Sequence, residues 1–258
     1  MTQNQIPNPN QIRSPYAANP TAPASQVAHG VGASPSALGV VPDARLQNAF
    51  LSQAFLWMFA GLLLTAGVAY VVQTSPALLD FANGNFFLLF IAQLAIVFVI
   101  TGAISRLSAT AALALFFVYA ATLGVTMGLI VASYTTGSVA TAFLSASAMF
   151  GAAAVYGKVT QRSLAKLGGI LFMGLIGLLV AMLLNIFLRS SEVTFLISIV
   201  GVVLFTALTA YDVQRIQSGD LAARLGSMEK AAVVGALELY LDFVNLFFFM
   251  LRLLGGRG

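Results

Sequence analysis

From about residue 50 onward the chain consists of apolar runs, each near the ~20 residues that a helix needs to span hydrocarbon. They cover 51–73, 86–104, 109–133, 138–157, 168–188, 193–212 and 231–254. Between them lie only short polar connections. This pattern predicts an all-α polytopic membrane protein with seven transmembrane helices.

Composition rules out the soluble alternative. Only 8% of the residues are charged and 59% are hydrophobic, whereas a soluble domain carries about 25% charged residues. So few charges cannot cover a surface facing water, while lipid requires none. The formal net charge of +4 is spread over short loops, with no basic face that would track phosphates, so nucleic acid is not an expected partner. The chain has no cysteine and a single histidine, His29. Disulfides, thiol chemistry, Ser-His or Cys-His catalysis and His-based metal clusters are therefore not available to the apolar body.

Residues 1–44 differ from the rest. Seven of the eight prolines fall there, among Gln, Asn, Ala, Ser and Gly. Such a stretch buries too little apolar surface to offset its ordering entropy, and we read it as a disordered cytoplasmic tail preceding a transmembrane domain over 45–258. It lacks the apolar core of a signal peptide, which leaves insertion to the first span. The remaining proline, Pro76, falls in the first loop.

Loop charges set the expected orientation. With the N-terminus in the cytoplasm, nine of the twelve Lys and Arg residues lie on that side, from Arg13 and Arg45 through Arg106, Lys158, Arg162 and Lys166 to Arg215, Arg224 and Lys230. Arg189, Arg252 and Arg257 lie opposite. The positive-inside rule then favours seven spans with the C-terminus outside. A six-span version with a re-entrant last segment places Arg252 and Arg257 inside and stays open. The absence of a glycosylation sequon or transit peptide points to a bacterial inner membrane. Gly124 and Gly128 are spaced for close helix approach.

Acids inside a membrane are costly, about 2.5–3.5 kcal/mol each on insertion scales. Five of the eight acids (Asp43, Asp80, Glu192, Asp220 and Glu229) fall in or beside loops and read as solvated. Asp212 ends the sixth span, and Glu238 and Asp242 lie within the seventh. Glu238 and Asp242 are four apart, hence on one helix face, with Asn245 beyond them. No Lys or Arg is expected mid-span to neutralise them. Two readings follow: neutral acids hydrogen-bonded for packing, or a titrating, cation-binding site.

Two segments carry a resemblance. The sixth span ends Phe205-Thr206-Ala207-Leu208-Thr209-Ala210-Tyr211-Asp212. The seventh contains Ala236-Leu237-Glu238-Leu239-Tyr240-Leu241-Asp242-Phe243-Val244-Asn245. Together with Trp57-Met58-Phe59 and Gly61-Leu62-Leu63-Leu64-Thr65 in the first span, they resemble the Bax inhibitor-1 (transmembrane Bax inhibitor motif, YccA-like) family over about residues 46–256. The resemblance implies a central C-terminal helix wrapped by the other six. It also implies a pH-sensitive calcium leak in which Asp212 and Asp242 pair as proton sensor and cation contact, with calcium as the permeant ion rather than a cofactor. Arg106 is the near match for a basic latch on the sixth-helix aspartate. Gln93 replaces an acid frequent in the family, and Glu238 stands where relatives more often carry a small residue.

Other functional classes make distinct demands on the sequence. The resemblance also implies a regulator that binds a membrane-embedded protease; the disordered tail would serve as its handle, since such segments commonly bind partners, or else is an inert solvated extension. An intramembrane aspartyl protease shares the Tyr211-Asp212 pattern. It needs Gly-x-Gly-Asp in its second helix, where this chain has Leu239-Tyr240-Leu241-Asp242; bulky residues there would keep a substrate backbone away. A retinal-binding receptor needs a lysine in the last span, and residues 231–254 contain none.

Overall fold

A computed structural model describes residues 44–256, with side chains from Asn48. The expected disordered tail lies outside the described residues. The chain forms α1 (Ala44–Thr74), α2 (Pro76–Gly84), α3 (Phe86–Gly102), α4 (Ala109–Val131), α5 (Thr136–Val159), a 3-10 turn (Ala165–Leu167), α6 (Gly168–Leu188), α7 (Ser191–Gln217), α8 (Asp220–Leu225) and α9 (Met228–Leu254). No strand occurs among the described residues. Pro76 does not lie in a loop: it opens α2, where its missing N–H removes no helical bond.

Caps explain why the apolar runs stop where they do. The side chains of Ser108, Thr135, Ser190 and Ser227 accept from backbone N–H groups at the starts of α4, α5, α7 and α9. The tight α6–α7 turn places Arg189 at a left-handed φ of 53°. Asn185 braces that turn, donating to Thr194 Oγ1 at 2.7 Å and accepting from the Ser190 amide at 3.2 Å.

The distribution of side chains is that of a protein solvated by lipid. Phe187, Met173, Phe87 and Phe98 are largely exposed, whereas Gln93, Thr126, Ser198, Thr209, Asp212 and Asp242 are buried. Six helices are long and apolar enough to cross a membrane, and α2 with α3, bent by 71°, makes a seventh candidate. Helix packing shows that α3 crosses. A methyl added at Gly124 would lie 2.7 Å from Val68 Cβ, and one at Gly128 would lie 2.7 Å from Val72 Cβ. The two contacts advance together, so α4 runs parallel to α1 and the chain must return across the bilayer between them.

The last segment also crosses. Lys230, at the start of α9, donates to the Ser105 carbonyl between α3 and α4 at 3.2 Å. At the other end, the Gly256 amide donates to Ser138 Oγ at 2.9 Å, beside the α4–α5 turn. A re-entrant α9 would bring both ends to one side, so the six-span alternative gives way. α9 is the central helix: 72% of its span is buried, against 11% for α6. It packs chiefly against α7, α1 and α5, with smaller contacts to α8 and α4. The expected wrapping by six helices is refined, since α3 packs on α4 and α6 on α7.

Candidate functional site

The acids converge because α7 and α9 pack antiparallel. Gly201 faces Phe249 at one end of their contact and Ile216 faces Gly235 at the other. Asp212 on α7 therefore meets Asp242 on α9, both buried. Their carboxyls face each other across this contact, and Thr209, one turn before Asp212, lies beside them with its hydroxyl donating to the Phe205 carbonyl of its own helix at 2.8 Å. Asp242 Oδ2 is buried and has no hydrogen-bond partner in the protein.

Sequence reasoning misplaced one residue. Arg215 was assigned to a loop, with no cation expected beside the acids. Instead α7 runs on to Gln217, and Arg215 Nη2 donates to Glu238 Oε1. Its Nη1 lies 3.9 Å from Asp212 Oδ1, and its guanidinium sits 5.7 Å from the Tyr211 ring centroid. Hydropathy alone ended the span at Asp212, because it scores polar residues as boundaries even where a neighbouring helix satisfies them. Helical spacing held the missing signal: Thr209 and Arg215 are each three residues from Asp212, on its face.

Three other residues stand apart from this group. Arg106 is exposed, and among the described residues no ion pair joins it to Asp212, whose basic neighbour is Arg215. Asn245 donates back to the Leu241 carbonyl of its own helix at 2.8 Å. Gln93 ties α3 to α4, donating to Thr126 Oγ1 at 2.7 Å and the Thr122 carbonyl at 3.0 Å.

The donor set limits what cation it suits. Resident calcium takes about six to eight oxygens. Among the described residues no group of three or more His, Cys, Asp or Glu is placed to hold a metal. Two carboxylates fall well short of that number.

A family model described as inhibitor of apoptosis-promoting Bax1 matches residues 47–258. The chain belongs to the Bax inhibitor-1 family. Among its relatives, the inner membrane protein YbhL of Escherichia coli is 41% identical over 224 residues, covering 84% of this chain and 95% of that protein. A protein of Borreliella burgdorferi is 43% identical over 217 residues, covering 82% and 94%. A membrane protein of Streptococcus pyogenes is 40% identical over 165 residues, covering 64% and 72%. As a Bax inhibitor-1 family member the chain is a polytopic membrane protein, and its acidic group lies at the α7–α9 contact, in the half of the bundle where α9 begins. Leu239 and Leu241 stand where an aspartyl protease would need glycine, and the Leu239 side chain is fully buried.

Proposed function

We propose that this protein is a pH-sensitive leak pathway for calcium or a similar cation, set by the Asp212–Asp242 pair. The membrane is a bacterial inner membrane, with the N-terminus in the cytoplasm. One observation carries the reading: two buried carboxyls face each other across the contact between the central helix and its main neighbour. Such a pair holds together through a shared proton. Losing that proton presses two negative charges against each other in a medium of low dielectric and drives the helices apart. Gaining a second removes the charge that faces Arg215. Either change alters the α7–α9 contact, so the free energy of that contact follows pH. The two acids titrate as a unit and not as separate groups.

The inner-membrane placement is supported by the name of the Escherichia coli relative, and the orientation by the excess of Lys and Arg on the α9-start side. The test is calcium influx into dye-loaded liposomes from about pH 5 to pH 8, the range over which buried carboxyls titrate. Wild type is expected to conduct with a pH dependence that Asp212→Asn and Asp242→Asn both flatten. A flux no greater than that of empty liposomes in all three would overturn the reading and favour a regulator that acts through a protein partner.

A further inference from the structure

A cavity of about 380 Å³ opens in the half of the bundle away from the start of α9. Its volume falls within the range of about 300–1,000 Å³ typical of ligand pockets. Its floor is Phe243 and Val244 of the central helix, both buried, and its mouth is formed by exposed Ala66 and Tyr70 of α1 and Ala140 and Phe143 of α5. Phe143, at one side of this mouth, packs edge-on against Phe243 of the floor at 5.7 Å between ring centroids.

We propose that this groove holds one acyl chain of a phospholipid drawn from the leaflet at the C-terminal end of α1. Three observations point to that occupant. The lining is almost wholly hydrocarbon in character, which suits neither a hydrated ion nor a polar ligand. Of its few polar groups, the Thr65 hydroxyl is already bonded to the Ala120 carbonyl and the Tyr240 hydroxyl, while Gln73, Thr136 and the Tyr70 hydroxyl lie toward helix ends. That is where a headgroup would lie, and where amphipathic rings favour the interface. The depth also matches. On α1 the lining runs from Leu62 to Gln73, which at 1.5 Å per residue is ~16 Å. One leaflet of a hydrocarbon core ~30 Å thick is ~15 Å deep. The groove therefore reaches from the interface to mid-bilayer and ends at the residue after Asp242. This placement holds whether or not ions cross the protein.

The full-length protein, purified in mild detergent, is analysed by native mass spectrometry. One phospholipid per chain is expected to stay bound, and Ala66→Phe or Ala140→Phe, at the mouth, should lower its occupancy about tenfold. Leu183→Phe, on the exposed face of α6, should leave it unchanged. A second measurement does not depend on filling the groove. With Trp57, the only tryptophan, changed to Phe, a Phe143→Trp reporter is compared with Phe187→Trp in vesicles containing brominated phospholipid. Quenching at position 143 should saturate at a lower brominated fraction than at position 187, which faces bulk lipid. Identical quenching curves, equal lipid retention in the filled variants, or a lipid-free dimer burying the groove would each overturn the proposal.

Discussion

Arg215 on α7 donates to Glu238 on α9 one turn before Asp242, so the cation that neutralises the acidic group comes from the helix facing it. The two side chains are only 20% and 23% exposed. Glu238 Oε2 and Arg215 Nε are buried with no hydrogen-bond partner in the protein. Breaking such a pair from one side strands a charge, at about 3–5 kcal/mol, whereas replacing both partners by apolar groups is often near neutral. Arg215→Met should therefore lower stability in detergent toward the lower end of that range, given the partial exposure. Arg215→Met combined with Glu238→Met should recover most of the loss. Thermal melts of the four proteins in a double-mutant cycle measure this, and additive losses would show that the pair is not coupled.

Glu238 also bears on the proposed leak. It competes with Asp212 for the same guanidinium. Glu238→Gln leaves Arg215 facing Asp212 alone, which favours the charged form of the aspartate pair. Under the proposed function, the midpoint of the pH–flux curve should move to lower pH, with the maximal flux retained. A curve that superimposes on wild type would separate Glu238 from the pH response.

Close helix packing gives a prediction independent of function. A methyl at Gly157 would run into the backbone carbonyl of Ala210 on α7, which cannot rotate away, while one at Gly124 would also come within 2.9 Å of the Thr65 carbonyl on α1. Overpacking of this kind costs about 1–3 kcal/mol. Gly157→Ala should lower the melting temperature most and Gly124→Ala less. Gly151→Ala, in α5 with nothing near its added methyl, should gain up to about 1 kcal/mol from helix propensity. Melting temperatures of the three variants rank them directly.

These cases show what the sequence carries and what it does not. Seven spans and their buried acids were legible because membrane crossing is written in run length and charge deficit, which need no knowledge of neighbours. The parallel contact of Gly124 and Gly128 with α1 was legible only as small-residue spacing, since the partner helix is a tertiary fact. Arg215 was missed because a span boundary drawn from hydropathy treats an arginine as solvated, and only the antiparallel register of α7 on α9 reveals its partner. Arg106 was expected beside Asp212 from the resemblance, yet the helix that carries Arg215 already supplies that cation. Asn245 shares the acidic stretch of α9 but spends its amide on its own backbone.

The two aspartates are not equivalent, and their neutralisation should have opposite effects on stability. Asp212 faces Arg215, so Asp212→Asn withdraws a countercharge and leaves the guanidinium to Glu238 alone. Asp242 faces Asp212 and Thr209 and has an oxygen without a partner. Asp242→Asn leaves the charge on Asp212 opposite Arg215, and the new amide can donate to Asp212 in place of the shared proton, a charge-assisted hydrogen bond of about 1.5–3 kcal/mol that no longer depends on pH. Melting temperature in detergent should therefore fall for Asp212→Asn and hold or rise for Asp242→Asn. Under the proposed function both should still flatten the pH dependence of flux, because either one ends the shared-proton pairing. Opposite stability shifts with the same loss of pH response would tie the response to the pair and not to general loosening of the bundle. If flux instead tracks melting temperature across the two variants, the effect is structural and the proton-sensing role of the pair fails.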